Sequence, residues 1–241
     1  MQRAIVTGGA SGIGRATCEL LAREGWRVVV ADRDLAGAQT VAHAIGGIAL
    51  AVDVSDEASV AAMVEAGVAE LGGTLDALAT PAGVADTTPF MEIDRATFDR
   101  VYAVNVLGTF FCVREAAKRM QRGARICTVA SVAGKRGGGL SGTAAYAASK
   151  GAVLALSRNA ARALAPLGIA VNCVAPGATE TPMVAESFAN PDHRERVESL
   201  TLLGRSAQPG EIAEAIAWLL SPRSSFVHGE TLTVDGGLML D

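Results

Sequence analysis

Along the chain, short runs of β-branched and other apolar residues alternate with longer stretches of helical apolar period. The runs at 4–7, 27–31, 48–52, 77–80, 125–130, 169–174 and 231–234 read as buried strands. The stretches near 12–24, 34–45, 56–72, 94–121, 144–166 and 208–220 read as amphipathic helices. Strands that alternate with helices build βαβ units, so the expected fold is α/β: a doubly wound parallel sheet of seven strands with helices on both faces. The connections are short, and no linker, repeat or low-complexity tract divides the chain, so residues 1–241 read as a single domain.

In such a sheet a ligand lies in the crevice beyond the carboxyl ends of the strands. The unusual residues accumulate there. The first run ends in Thr7-Gly8-Gly9-Ala10-Ser11-Gly12-Ile13-Gly14 and enters a helix. Glycine at 8 permits a sharp turn, at 12 lets the backbone approach a pyrophosphate, and at 14 lets the helix lie close on the strand; the helix N-terminus faces the anion. Ser11 adds a hydroxyl donor to this cradle. Taken alone, the glycines also fit a tight turn with no ligand.

Asp32 follows the second run, eighteen residues beyond Gly14, where a carboxylate accepts hydrogen bonds from an adenosine ribose diol. Arg33 beside it can lie over the adenine face or meet a 2′-phosphate. After the third run, Asp53-Val54 offers an acceptor for an adenine amino group and an apolar flank. Capping the next helix is the structural alternative for Asp32 and for Asp53, with Ser55 a competitor of the latter. Three sites one βα unit apart point together to a dinucleotide, and the Asp32 carboxylate favours NAD over NADP.

Composition narrows the classes further. With 50% hydrophobic and 19% charged residues the chain is a folded globular protein rather than a disordered one. A net charge of −4 gives no basic field for nucleic acid or an anionic membrane, and neither partner is expected. Cys18, Cys112, Cys127 and Cys173 sit in separate apolar runs and read as buried free thiols. The histidines lack ligand spacing, and no nucleophile elbow or P-loop occurs, so no metal is expected. With no charged leader and no membrane-length apolar run, the expectation is a soluble, cytoplasmic protein.

Tyr146-Ala147-Ala148-Ser149-Lys150 begins the helical stretch 144–166, and i,i+4 spacing puts the phenol and the ammonium on one face. A phenol must drop about 2–3 pKa units, about 3–4 kcal/mol, to act as a base near neutrality. A unit charge about 4 Å away at an effective dielectric near 20 supplies roughly that much. A surface Tyr and Lys on an amphipathic helix is the plainer account of this pair alone.

Ordered along the chain, Thr7–Gly14 as TGxxxGxG, Asn105 in Asn105-Val106-Leu107-Gly108, Ser131 in Ala130-Ser131-Val132-Ala133-Gly134, Tyr146xxxLys150 and Pro176-Gly177 resemble the short-chain dehydrogenase/reductase family. The likeness runs from Arg3 to Gly237. It is nearest to the branch holding 3-oxoacyl-carrier-protein reductases and NAD-linked secondary-alcohol and polyol dehydrogenases. It implies a Rossmann-like fold and hydride transfer between NAD(H) and a secondary alcohol or ketone. An NADPH-dependent 3-oxoacyl thioester reductase is the alternative, and a noncatalytic dinucleotide sensor is a third reading.

The resemblance makes Tyr146 the general acid/base, Lys150 its tuner and the holder of the nicotinamide ribose, and Ser131 the partner of the substrate oxygen. Asn105 becomes the anchor of a water relay to Lys150, against a purely structural role. Ala82, Gly83, Pro176, Gly177, Thr179 and Thr181 become cofactor contacts, Thr181 at the carboxamide. A substrate loop is expected near 179–204, and a homotetramer paired through the small residues of 144–155. Two departures stand out: Thr80-Pro81-Ala82-Gly83 replaces the usual Asn-Asn-Ala-Gly, and the stretch from Ser131 to Tyr146 is long enough to make Ser141 a rival hydroxyl.

Overall fold

A computed structural model of the chain describes residues 1–138 and 143–240. Ser141 lies outside the described residues. Seven strands, β1 (Arg3–Thr7), β2 (Arg27–Asp32), β3 (Ile48–Ala51), β4 (Leu75–Thr80), β5 (Met120–Val129), β6 (Ala170–Pro176) and β7 (Thr231–Val234), form one parallel sheet in the order β3-β2-β1-β4-β5-β6-β7. All seven expected strands are present. The order reverses between β1 and β4, which opens a crevice at their carboxyl ends.

Both faces of the sheet are covered, which is why its strands are continuous apolar runs rather than alternating ones. Successive side chains point to opposite faces. Ala4 and Val6 of β1 therefore join the core beneath α1 (Gly12–Arg23), α2 (Leu35–Ile45) and α10 (Pro209–Leu220), while Ile5 joins the opposite core. That second layer rests on Val60 and Val64 of α3 (Glu57–Glu70), Cys112 and Ala116 of α5 (Gly108–Ala117) and Ala160 and Ala161 of α7 (Ala144–Leu164). The four cysteines are buried and free.

The caps differ from those expected. Asp34, not Asp32, caps α2 by accepting from the Gly37 amide at 3.0 Å, and Asp56, rather than Asp53 or Ser55, caps α3 through the Ala58 amide at 2.9 Å. Asp32 and Asp53 are thereby left over for other work.

The stretch 94–121, expected as one helix, is broken. It holds α4 (Arg95–Tyr102), a π-helical turn Ala103–Leu107 and α5, and β5 already begins at Met120. The segment 179–204, expected as loop, carries α8 (Ala185–Phe188) and α9 (Pro191–Glu198), the latter capped by Asn190 through the Asp192 and His193 amides. A further short helix, α6 (Ala133–Arg136), follows Ser131. No helix among the described residues is long and apolar enough to cross a membrane.

Candidate active site

A cavity of about 470 Å³ opens at the carboxyl ends of the strands, and every residue expected at the site lines it except Asn105. The turn after β1 supplies Gly8, Ser11, Gly12, Ile13 and Gly14; the ends of β2 and β3 supply Asp32, Arg33, Asp53 and Val54. Ala82 and Gly83 follow β4, Ser131 follows β5, Tyr146 and Lys150 project from α7, and Pro176, Gly177, Thr179 and Thr181 follow β6. Among the described residues no group of three or more His, Cys, Asp or Glu forms a metal site.

The glycine turn is built by sterics. Gly8 holds φ +64°, and a Cβ on Gly14 would lie 2.0 Å from the Gly8 carbonyl oxygen, so the first turn of α1 rests directly on the end of β1. Ser11, the N-cap of α1, makes no side-chain capping bond, and the first turn holds no acidic residue. The first turn lines the cavity with no side-chain cap among the described residues, a fit for a pyrophosphate.

Asp32 is fixed by two backbone amides, Ala10 to Oδ2 and Asp34 to Oδ1, each at 3.0 Å. This ties its carboxylate to the glycine turn and aims it into the cavity. Asp53 accepts from the Ser55 amide at 2.9 Å and hydroxyl at 2.6 Å, which hold its carboxyl below the usual range, with Arg33 adding to the effect. Beside it Val54 is buried against Gly108.

At the loop that carries Thr80-Pro81 in place of the usual Asn pair, the backbone packs closely on the glycine turn. A Cβ at Gly8 would fall 2.8 Å from the Cα of Ala82, so the loop after β4 leans on the glycine turn through main-chain atoms. The Thr7 and Thr80 hydroxyls, at the ends of neighbouring strands, are buried with no partner among the described residues.

At the other end of the cavity Lys150 is 4% exposed, and its ammonium donates to the Val129 carbonyl at 3.0 Å. Burial lowers its pKa to about 8. An ammonium carries three donors, so the group retains capacity to hold ribose hydroxyls. Its Nζ lies 5.8 Å from the centre of the Tyr146 ring. Burial raises the Tyr146 pKa, and a hydrogen bond with Ser131 works against that rise. The expected depression of the phenol by Lys150 is therefore not the dominant effect in this structure. Helical spacing puts the two groups on one face, but burial, which spacing does not report, raises the phenol and lowers the ammonium.

Ser131, two residues beyond the end of β5, lies beside Tyr146, its Oγ accepting from the Ala133 amide at 3.1 Å. Asn105 stands behind this wall, fully buried in the π-helical turn. Its Oδ1 accepts from the Val84 amide at 2.8 Å, and its Nδ2 donates to the Val84 carbonyl and the Ser149 Oγ, both at 2.9 Å. The Ser149 hydroxyl in turn donates to the Tyr146 carbonyl at 2.7 Å. Ser149 carries no motif of its own, and its only signal was its place one turn beyond Tyr146. Lys135 donates to Thr233 Oγ1 at 3.0 Å on β7 and is not among the residues lining the cavity.

The comparisons with known proteins agree with this geometry. The family model described as enoyl-(acyl carrier protein) reductase matches residues 8–239. The chain is 43% identical over 97% of its length to cis-4-hydroxycyclohexanecarboxylate dehydrogenase of Sinomonas cyclohexanicum, covering 95% of that protein. It is 40% identical, with the same coverage of both chains, to cyclopentanol dehydrogenase of Comamonas sp.. A solved dehydrogenase/reductase of Sinorhizobium meliloti 1021 superposes with a TM-score of 0.92 at 38% identity, covering 99% of this chain and 95% of that one. Sequence, sheet order and cavity converge: the chain belongs to the short-chain dehydrogenase/reductase family.

Proposed function

We propose that the protein moves hydride between NAD(H) and a compact, uncharged secondary alcohol or its ketone, with Tyr146 transferring the proton. The observation that carries this reading is one cavity with Ser131, Tyr146 and Lys150 at one end and Asp32 beside an uncapped helix N-terminus at the other. Bound there, a nicotinamide supplies the hydride site and, when oxidised, a positive charge next to the phenol. Ser131 holds the substrate oxygen and stabilises the developing alkoxide. Tyr146 exchanges a proton with that oxygen, and Lys150 grips the ribose and offsets phenolate charge. The amides at the start of α1 bind the pyrophosphate, Asp32 the adenosine ribose, Asp53 and Val54 the adenine, and Thr181 the carboxamide, while Asn105 anchors a water relay toward Lys150.

The remaining walls include Val84, Ala85, Val132, Ala133, Met183 and Val184. These apolar groups favour a hydrocarbon ring or chain over a polyol or a hydroxyacid. The short helices of 179–204 form the substrate-side lid, and Leu107 and Phe110 around the start of α5, with the exposed Ala148 and Ala155 of α7, offer the surface for a homotetramer.

For the cofactor, a 2′-phosphate about 4–5 Å from Asp32 at an effective dielectric near 20 meets roughly 3–4 kcal/mol of repulsion, over about a hundredfold in affinity. Arg33 is exposed and competes for that phosphate. The test is kcat/KM with both cofactors on cyclopentanol, cyclohexanol, sorbitol, 3-hydroxybutyrate and, in reduction, an acetoacetyl thioester. The expected result is NAD(H) preference with the cyclic alcohols fastest. Equal efficiency with NADP(H) would show that Arg33 wins, and a fastest thioester would show the reductase alternative. Asp32→Ser should narrow the cofactor gap chiefly by improving NADP(H) use.

A further inference from the structure

Three residues before Tyr146, α7 begins in an unusual way. Thr143 is its N-cap, a position where a threonine hydroxyl ordinarily accepts from an amide of the first turn, yet it makes no such bond. The hydroxyl instead donates to Asp86, to Oδ2 at 2.9 Å and to the carbonyl oxygen at 3.2 Å, and the Thr143 amide donates to that same carbonyl at 2.9 Å. Asp86 itself is 7% exposed and has no salt-bridge partner among the described residues; Thr88 donates to its other oxygen at 2.9 Å. A buried carboxylate without a cation is unfavourable unless hydrogen bonds or a dipole offset it, and here two hydroxyls and the start of a 21-residue helix do so.

The same loop is tied to α7 a second time, beyond Tyr146. Val84 is bound through both its amide and its carbonyl to Asn105, which reaches Ser149, which donates to the Tyr146 carbonyl. The segment 84–86 thus grips the helix three residues before and three residues after the phenol. We propose that Asp86 is a positioning residue for Tyr146: through Thr143 it fixes the first turn of α7 against the loop after β4, holding the phenol opposite Ser131. A helix start that has given up its own cap gains its order from this clamp.

The proposal rests on the proposed role of Tyr146, so its test has one arm that needs no turnover. In the intact protein, hydrogen–deuterium exchange of the peptide 143–150 should quicken at least about fivefold in Asp86→Ala and in Thr143→Val, with peptides of β1 and β4 unchanged. In the kinetic arm, with the best alcohol of the panel, kcat should fall about tenfold or more in either variant while KM for NAD stays within about twofold. The double variant should be little worse than either single one, because the two act through one contact. Thr143→Ser, which keeps the hydroxyl, should recover most of the kcat lost in Thr143→Val. Unchanged exchange at 143–150 overturns the proposal whatever the activity. So do additive losses, failure of serine to rescue, or parallel loss of kcat and cofactor binding. If Asp86→Ala does not fold, the Thr143 pair decides alone. Retained turnover by Tyr146→Phe would instead overturn the proposed chemistry, leaving the exchange arm to judge the clamp.

Discussion

Lys150 combines a proposed chemical task with an unfavourable setting, since its ammonium is buried, donates to the Val129 carbonyl, and has its pKa lowered by burial to about 8. In the unfolded chain the same group ionises near 10.4, so below pH 8 the fold carries the full penalty of a buried charge. Between about pH 8 and 10.4 the unfolded state binds the extra proton, and stability from this site rises with pH. Lys150→Met should therefore raise the Tm at pH 7 by a few degrees, about 1–3 kcal/mol, and the gain over the wild type should shrink as the pH approaches 10. Thermal melts across that range check the sign; a gain that grows with pH would contradict it. Turnover by the same variant should collapse. Tyr146→Phe separates chemistry from binding in the other direction: it should remove at least about a thousandfold of kcat yet leave NAD affinity nearly intact, read by stopped assays and titration calorimetry.

Among the elements, the strands were the most legible, because a sheet covered on both faces forces continuous apolar runs of strand length. That the glycine turn, Asp32, Asp53, Ser131 and the Tyr146–Lys150 pair would gather at one cavity was legible as well, each lying at or just beyond a strand end or at helical spacing. The break at Asn105 was not. An Asn in an apolar run was visible, but nothing local distinguishes a polar side chain that needs partners from one that changes the helical repeat. The π-helical turn turns that amide toward Val84, a contact 21 residues away. Helix α9 was signalled by Asn190-Pro191, a cap followed by proline at the first helical position, yet its neighbours lack an apolar stripe. The direction of the Tyr146 pKa was hidden because it depends on burial, which spacing does not report. At this scale the glycine turn offers a sharp test. Gly14→Ala would drive a methyl into the Gly8 carbonyl, so the turn must open. NAD affinity should drop at least about tenfold with a stability loss of about 1–3 kcal/mol, measured by calorimetry and melting.

For the whole molecule, the first expectation concerns assembly. Leu107 is 47% and Phe110 38% exposed, next to an α7 face edged by alanines. The small residues of α7 divide between two uses: Ala147 is buried within the protomer and Gly151 lies against Gly134, leaving Ala148 and Ala155 outward. Light scattering at micromolar concentration should give the mass of a tetramer, and a monomeric mass would overturn this. The reversal of strand order between β1 and β4 carries a further consequence, one for heredity rather than chemistry. Everything proposed to read adenosine comes from the chain before Val54 ends, and everything proposed to touch the reacting oxygen comes after Thr80. A lineage can therefore drift in its choice of nucleotide by altering one end of the gene and in its choice of alcohol by altering the other. The seam that any recombinant must respect is the β1–β4 register and the face on which α1 meets α10.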